Sequence, residues 1–158
     1  MVRVKSRYVL SELVFGTEKR YKLNTYKVQE AVNEAVEKIH GAAGLARVSI
    51  GLKVKYLNDY TRVVMITCRR DHHALLLSAL PFVKAVDVKV PEEKQYREVS
   101  CFFNTLHVSG TIRGCQEKLL KLNLRRKEEF LGEARTGEER KRIEEAFKDA
   151  ESSDEEDE

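Results

Sequence analysis

The sequence predicts an α+β fold in which an antiparallel sheet carries helices in the ferredoxin-like arrangement, with additional helices at the C-terminal end. Apolar residues alternate with polar ones in four segments, which is the period of strands. Between these segments they recur every three or four residues, which is the period of helices. The order strand, helix, strand, strand, helix, strand is the one that two split β-α-β units produce. The chain of 158 residues suffices for one such domain with a hydrophobic core.

The first predicted strand covers residues 2–15 and is expected to be half-buried, because its two faces differ in polarity. One face carries the cations Arg3, Lys5 and Arg7, and the other carries Val2, Val4, Tyr8 and Leu10. A helical stripe over residues 28–39 follows, and Gly41 and Gly44 are expected to end that helix.

A hairpin is predicted next, with strands over residues 47–56 and 62–69 and turn residues Asn58 and Asp59 between them. Asp71 is the expected N-cap of a short helix that reaches Leu80, where Pro81 ends it. The polar segment 84–98 contains Pro91 and is expected to be a long connection or an insertion.

The last third of the chain predicts one strand and two helices. The strand covers residues 99–112, and a leucine-rich helix follows it to about Phe130. Thr136 and Glu139 have the spacing of a capping box, which opens a charged helix to about Ala150. We therefore expect three regions, a folded domain over residues 1–131, a charged helix over 132–150 and an acidic disordered tail over 151–158.

The charge is distributed unevenly along the chain. Residues 1–127 carry 24 basic and 12 acidic residues, a net charge of +12, whereas residues 128–158 carry 5 basic and 14 acidic residues, a net of −9. A folded body with this excess of positive charge favours a polyanionic partner. The acidic end carries Ser152 and Ser153, each with an acidic residue three positions on, which suits an acidophilic kinase.

Signals for an enzyme are weak. No motif of a serine hydrolase, a zinc protease or a phosphate-binding Walker loop is present. The four histidines are expected to be structural or surface residues; they are His40, His72, His73 and His107. The aspartates that could hold magnesium are isolated from one another; they are Asp59, Asp71 and Asp87. The three cysteines, Cys68, Cys101 and Cys115, form no C-x-x-C pair, so we expect neither disulfides nor a structural zinc, and a reducing compartment. No apolar run is long enough for a membrane span.

Signals for nucleic-acid binding are stronger, because three predicted strands carry cations of the same sign at the spacing of phosphates along a strand. These candidates are Arg3, Lys5, Arg7, Lys53, Lys55, Arg69 and Arg70. The alternative is a solvated sheet edge that charge protects from aggregation.

A second candidate lies at a strand-to-helix junction, where a small flexible turn offers backbone N–H groups to a phosphate. Its residues are Ser109, Gly110 and Thr111, with Arg113, Lys118 and Lys121 adding positive charge. The alternative is a plain helix cap by Ser109 or Thr111.

Base-specific reading of single strands is not expected. The aromatic consensus of RNA-recognition motifs is absent, and the adjacent Phe102 and Phe103 face opposite sides of a strand, so only one could stack on a base. Recognition of the backbone and shape of a folded RNA fits better.

Three separated blocks resemble the Pop-five subunit family of eukaryotic ribonuclease P and ribonuclease MRP. They are Val2-Arg3-Val4-Lys5-Ser6-Arg7-Tyr8-Val9-Leu10, the segment from Ser49 to Asn58, and the segment from Cys101 to Arg113. The resemblance spans residues 1–124, and Val108-Ser109-Gly110-Thr111-Ile112 with the basic residue after it is its most specific part. Segment 84–98 looks longer than the usual connection, and the chain beyond Glu128 matches nothing in the family pattern.

The resemblance implies a non-catalytic protein subunit of an RNA-catalysed enzyme that removes the 5′ leader of precursor tRNA, and of ribonuclease MRP, which acts in ribosomal RNA maturation. It implies a fold related to the RNA-recognition motif. It also implies that the chain binds the ribonuclease RNA, contacts precursor tRNA indirectly and pairs with a TIM-barrel-shaped subunit. The protein binds no cofactor in this scheme, Mg²⁺ is held mainly by RNA and substrate phosphates, and the location is the nucleus and nucleolus.

Two other readings remain open. The chain could bridge protein subunits and barely touch RNA, or it could be a small stand-alone phosphoryl-transfer or hydrolase domain on the same fold. The first predicts no RNA adducts on the first strand after crosslinking of the particle, and the second predicts turnover by the isolated protein.

Overall fold

A computed structural model describes the backbone of residues 3–152 and the side chains as far as Lys148. Its five strands are β1 (Ser6–Phe15), β2 (Lys53–Asn58), β3 (Val63–Arg69), β4 (Ala85–Lys89) and β5 (Tyr96–Ser109). Its helices are α1 (Thr25–Ser49), α2 (His73–Ala79), α3 (Ile112–Glu133) and α4 (Gly137–Ser152), and short 3₁₀ turns flank α2 at Arg70–His72 and Leu80–Phe82. None of the described helices is long and apolar enough to cross a membrane.

The strands form one sheet in the order β2-β3-β1-β5-β4, and every pairing is antiparallel. The first four positions of that order, with α1 after β1 and α2 after β3, are the predicted ferredoxin-like arrangement, and β4 is added at the edge of β5. The predicted α+β fold class is therefore confirmed.

The prediction of an irregular connection over residues 84–98 is wrong. Residues Ala85–Lys89 form β4, and β5 already begins at Tyr96. Val86 and Val88 point into the core while the alternate residues Ala85 and Asp87 are partly exposed, which is the alternation of an edge strand. The pattern covers only five residues and lies beside a polar segment, so it is easily missed.

The prediction that β1 is half-buried is also wrong, because β1 is the central strand and both of its faces are covered in its middle. Val9 and Leu10 point to opposite faces, yet neither is exposed to solvent. β1 begins only at Ser6, so Arg3 and Lys5 precede it. Arg7 lies on the same side as the buried Val9.

Helix α1 is longer than predicted. Gly41 does break it, with φ 72° and ψ −175°, a conformation that favours glycine. A second helical segment continues through Gly44 to Ser49, so the residues 47–49 that were predicted to begin a strand are helical. Asp71 is not an N-cap either: α2 begins after His72, and no side chain caps it.

The chain divides into two compact units between Cys115 and Gln116. In the first unit, α1 and α2 pack on one face of the sheet in a core that includes Leu13, Val36, Ile66 and Leu76. The opposite face also has buried side chains, among them Leu10 and Met65.

The second unit contains most of α3 and all of α4. The rings of Phe130 and Phe147 lie 6.4 Å apart, and Ile143, one helical turn before Phe147, is also buried. The predicted capping box is confirmed: Glu139 donates its N–H to Thr136 Oγ1 at 3.3 Å, and its carboxylate accepts the N–H of Thr136 at 3.4 Å. The predicted division at residue 131 stays a prediction. Residues 153–158, with the kinase candidate Ser153 and most of the predicted tail, lie outside the described residues.

Candidate nucleic-acid interface

Most of the predicted binding residues of the first unit meet at one end of the sheet. β1 begins there, β2 begins there beside the end of β3, and β5 ends there, because Ser6 pairs with Arg69, Lys53 with Thr67 and Tyr8 with Ser109. We call this region the Lys5 end; it consists of Lys5, Arg7, Lys53, Arg69 and Arg70, with Ser109, Gly110 and Thr111 beside them. Four neighbouring strands of the sheet therefore contribute to one surface.

Backbone contacts hold the Lys5 end together. Arg70 donates its backbone N–H to the carbonyl of Lys5 at 2.9 Å, which extends the β1–β3 pairing beyond both strands. The guanidinium of Arg7 donates to the carbonyl of Ser6 at 3.3 Å and lies against Gly110, where an added Cβ would sit 3.2 Å from Nη1. A glycine at this position lets the Arg7 side chain approach the end of β5 closely.

The cations of the Lys5 end have almost no carboxylate partners. Within residues 3–152, neither Lys5, Lys53 nor Arg69 forms an ion pair. Arg70 approaches the carboxylate of Asp71 only to 3.8 Å, and both side chains are largely exposed. Uncompensated positive charges on one surface raise the local potential, which attracts a polyanion.

The remaining predicted cations are exposed but lie elsewhere. Arg3 precedes β1, and Lys55 lies further along β2 at an irregularity of its pairing with β3. Arg113 is in the first turn of α3. Lys118 and Lys121 are on α3 within the second unit, so they belong to a different compact unit from the Lys5 end.

The turn over residues 109–114 forms a helix cap. Ser109 Oγ accepts the N–H of Thr111 at 3.2 Å, and Thr111 Oγ1 accepts the N–H of Gly114 at 3.1 Å. Gly114 fits because a Cβ there would lie 2.7 Å from Ser109 Oγ. The Ser-Gly-Thr motif thus has a structural reason, the capping of α3, and the hydroxyls occupy two N–H groups that a phosphate would otherwise use.

The two adjacent phenylalanines face opposite sides of β5. Phe103 is buried in the core, whereas Phe102 is 54% exposed. The prediction that the two rings face opposite sides of the strand is confirmed.

Catalytic chemistry finds little support among the histidines and cysteines. Ser78 Oγ donates to the carbonyl of Leu75, so it accepts a hydrogen bond from His40 Nε2, 2.7 Å away, and is not activated as a nucleophile. Burial raises the pKa of the thiols of Cys68, Cys101 and Cys115 to about 11, which keeps them protonated at neutral pH. Among the described residues, no group of three or more histidine, cysteine or acidic side chains gathers to hold a metal ion.

A second basic surface, which the sequence did not predict, lies at the opposite end of the sheet. The guanidinium of Arg20 stacks on the ring of Tyr60, with Cζ 4.4 Å from the ring centroid, and Nη2 donates to the Tyr60 hydroxyl at 3.0 Å. Arg62 Cζ lies 5.1 Å from the centroid of Phe15. We call this region the Arg20 end; it consists of Lys19, Arg20, Lys22, Tyr60 and Arg62. The run Glu18-Lys19-Arg20-Tyr21-Lys22 was the only local signal for it, but that run lies in a loop without periodicity.

Sequence comparison places the chain in a family. The profile described as the Rpp14/Pop5 family matches residues 7–120, which covers both ends of the sheet. The chain belongs to the Rpp14/Pop5 family. The resemblance found in the three sequence blocks is thereby confirmed.

Individual relatives agree with the family. The chain is 45% identical to "Ribonuclease P/MRP protein subunit POP5" of Mus musculus and 44% identical to that of Homo sapiens, over 79% of this chain and 71% and 74% of those proteins. The protein of the same name from Danio rerio is 39% identical over 93% of this chain and 85% of its own length. A chain in a cryo-EM structure of yeast ribonuclease MRP superposes with a TM-score of 0.49 and 9% identity, over 79% of this chain and 95% of that one.

Proposed function

We propose that this chain is a protein subunit of ribonuclease P and ribonuclease MRP that binds the ribonuclease RNA and leaves RNA cleavage to it. Family membership, with 45% identity to a subunit of that name, carries the assignment to the particle. The assignment of an RNA contact is supported by one observation, the concentration at the Lys5 end of cations from β1, β2 and β3 that have almost no carboxylate partners among the described residues.

The proposed mechanism is electrostatic. Lys5, Lys53 and Arg69 neutralise phosphates where RNA helices approach each other, so the RNA keeps its active shape at a lower Mg²⁺ concentration. The Mg²⁺ is held by RNA and substrate phosphates, with no ligand from the protein. Precursor tRNA is contacted only through the RNA that the chain braces. In the proposal, Arg113, Lys118 and Lys121 also contact RNA phosphates, from helix α3.

Pairing with a TIM-barrel-shaped protein subunit is a further part of the proposal. A groove beside the edge strand β4 is lined by Phe82, which is 55% exposed, and by charged side chains of both signs, Glu34, Lys38, Lys84 and Glu98. An exposed aromatic ring surrounded by charged side chains suits a contact with another protein that has an aromatic anchor and a polar rim. In this arrangement the groove and the Lys5 end serve different partners, and the particle acts in the nucleus and nucleolus.

The experiment is a Mg²⁺ titration of precursor tRNA cleavage by ribonuclease P reconstituted from its RNA and all its protein subunits. The test variant is Lys5→Gln, Arg69→Gln, Arg70→Gln, and the matched control is Lys94→Gln, Lys141→Gln, Lys148→Gln, which removes equal charge from exposed positions outside the Lys5 end and the groove. We expect the test variant to need more Mg²⁺ for half-maximal cleavage because RNA phosphates then repel each other more strongly. Equal Mg²⁺ requirements for both variants would contradict the proposed RNA contact.

A catalytic role is tested separately. The isolated full chain should not cleave precursor tRNA at any Mg²⁺ concentration, since His40 and His73 make structural hydrogen bonds and burial keeps the thiols protonated. Leader removal by the purified chain without RNA would overturn the non-catalytic assignment.

A further inference from the structure

At the Arg20 end, two of the four cations, Arg20 and Arg62, are held in place by aromatic rings and hydrogen bonds. Arg62 Nη2 donates to the carbonyl of Lys19 at 2.8 Å and its guanidinium stacks on Phe15, so the β2–β3 hairpin holds the loop after β1. Arg62 itself has φ 59°, a conformation that few side-chain-bearing residues adopt. Through these contacts, Arg62 positions the loop that carries Lys19, Arg20 and Lys22.

The loop contacts leave the other three cations available. Lys19, Arg20 and Lys22 are exposed, and within the described part of the chain no carboxylate pairs with any of them. Asp59 of the hairpin accepts the N–H of Leu23 at 3.1 Å; burial raises the pKa of its carboxyl, and the charge of Lys22 acts in the opposite direction. The surface therefore keeps a net positive charge.

The Arg20–Tyr60 stack adds a second property. The guanidinium of Arg20 lies over the Tyr60 ring, and the Arg20 side chain is exposed, so a flat partner can approach the guanidinium from the solvent. A guanidinium plane held on an aromatic ring is a stacking platform for a nucleobase, and neighbouring lysines suit the phosphates on either side. A folded core does not need this exposed pair, whereas unpaired RNA can use it.

The two ends are far apart. β1 runs from Ser6 at the Lys5 end to Phe15 at the Arg20 end, a length of about 30 Å at the rise of an antiparallel strand. We propose that the Arg20 end is a second RNA-binding surface, which takes unpaired nucleotides on the Arg20–Tyr60 stack, so that the chain holds two RNA segments about 30 Å apart. This inference rests on the proposed function, because it takes the RNA of the particle as the partner.

The experiment measures binding of the full chain to a fluorescently labelled single-stranded polyuridine of about 12 nucleotides over a range of NaCl concentrations. In the variant Lys5→Gln, Arg69→Gln, Arg70→Gln we expect binding to persist, with a salt slope lower by about 2 units, since each lost phosphate contact removes about 0.7 unit. Adding Arg20→Gln and Lys22→Gln to that variant should abolish the remaining binding.

Two further variants separate stacking from charge and from misfolding. Arg20→Lys in the same background keeps the charge and removes the planar stack, so we expect affinity to fall at least about five-fold. Lys19→Gln with Lys22→Gln removes two charges that no described side-chain hydrogen bond or ion pair uses, and it should also weaken binding while the thermal unfolding temperature stays unchanged.

The outcomes are distinguishable. If the Lys5-end variant binds no RNA, or if the Arg20 and Lys22 changes have no effect, the second surface does not exist, although the proposed function stands. If Arg20→Lys binds polyuridine as before and polyglutamate displaces the RNA equally well, the surface is a site for an acidic protein and the inference is overturned. If the unmodified chain binds no RNA and RNA crosslinks are absent in the particle, the proposed function fails as well.

Discussion

The two ends of the sheet carry the same sign of charge in different forms. At the Lys5 end, the side chains of Lys5, Lys53 and Arg69 have no ion-pair partners among the described residues. At the Arg20 end, Arg20 and Arg62 are fixed by rings and hydrogen bonds. Cations that no ion pair restrains can adapt to many phosphate positions, whereas guanidinium groups held by rings and hydrogen bonds favour one geometry. Charge alone therefore does not describe either surface; the contacts that restrain each cation do.

Arg62→Ala should have the largest effect on stability and should release the loop of the Arg20 end from the hairpin. We expect the free energy of unfolding in urea to fall by about 1–2 kcal/mol, because the stack on Phe15 and the hydrogen bond to Lys19 are lost. Arg62→Gly should lose less, since glycine adopts a positive φ without strain. The free energy of unfolding of the control Arg69→Ala should stay within about 0.5 kcal/mol of that of the natural protein. An equal loss in Arg62→Ala and Arg69→Ala would contradict the view that cations are restrained at the Arg20 end and unrestrained at the Lys5 end.

The cysteines can report which end opens. Cys101 pairs with Phe15 near the Arg20 end, and Cys68 pairs with Arg7 at the Lys5 end. In Arg62→Ala we expect iodoacetamide to label Cys101 up to about ten-fold faster, as a local loss of about 1.4 kcal/mol allows, with little change at Cys68. Peptide mass spectrometry measures both sites in one sample, and equal acceleration at both cysteines would indicate global unfolding instead.

At the Lys5 end the expected effect on stability is smaller and of opposite sign. Lys5→Gln should raise the free energy of unfolding by a few tenths of a kcal/mol at about 0.01 M salt, because neighbouring cations repel each other across a long screening length. The gain should vanish at about 1 M salt, where the screening length is about 3 Å. A loss of stability at low salt would mean that Lys5 is compensated and would remove a premise of the proposed RNA contact.

The smallest expected effect concerns Asp59 at the Arg20 end. Burial raises the pKa of the Asp59 carboxyl above its ordinary value of 3.8, although the hydrogen bond from Leu23 opposes that shift. The folded protein therefore holds this proton more tightly than the unfolded chain, and the stabilisation is present at acid pH and lost as the pH rises through the folded pKa. Relative to Asp59→Asn, the natural protein should lose stability as the pH rises above the ordinary carboxyl value of 3.8. Urea unfolding at several pH values measures this, and a relative gain in stability over the range would reverse the sign we assign.

The sequence predicted the sheet architecture because alternation and helical spacing report burial directly. Val32 and Val36 occupy core positions, as the helical period of residues 28–39 indicates. The cap at Thr136 was also predictable, since it depends on residues three positions apart. The errors fall where tertiary position decides: β1 is buried on both faces because it is central, and β4 exists because it pairs with β5.

The candidate site was predictable only in part for the same reason. Lys5, Lys53 and Arg69 could be selected as cations on strands, yet only the register of the pairings shows that they share one end of the sheet. Arg20 and Tyr60 are 40 residues apart, and no local pattern predicts that one stacks on the other. Ser109 and Thr111 were recognised as special, and their contacts show a helix cap.

The most direct test of the central claim is ultraviolet crosslinking of the purified ribonuclease particle followed by mass spectrometry of peptide–RNA adducts. The claim is that the Lys5 end touches the ribonuclease RNA. It predicts adducts on the peptides that contain residues 3–8 and 69–73, at levels above those on peptides of α1. Abundant adducts on other subunits, with none on these two peptides, would contradict it.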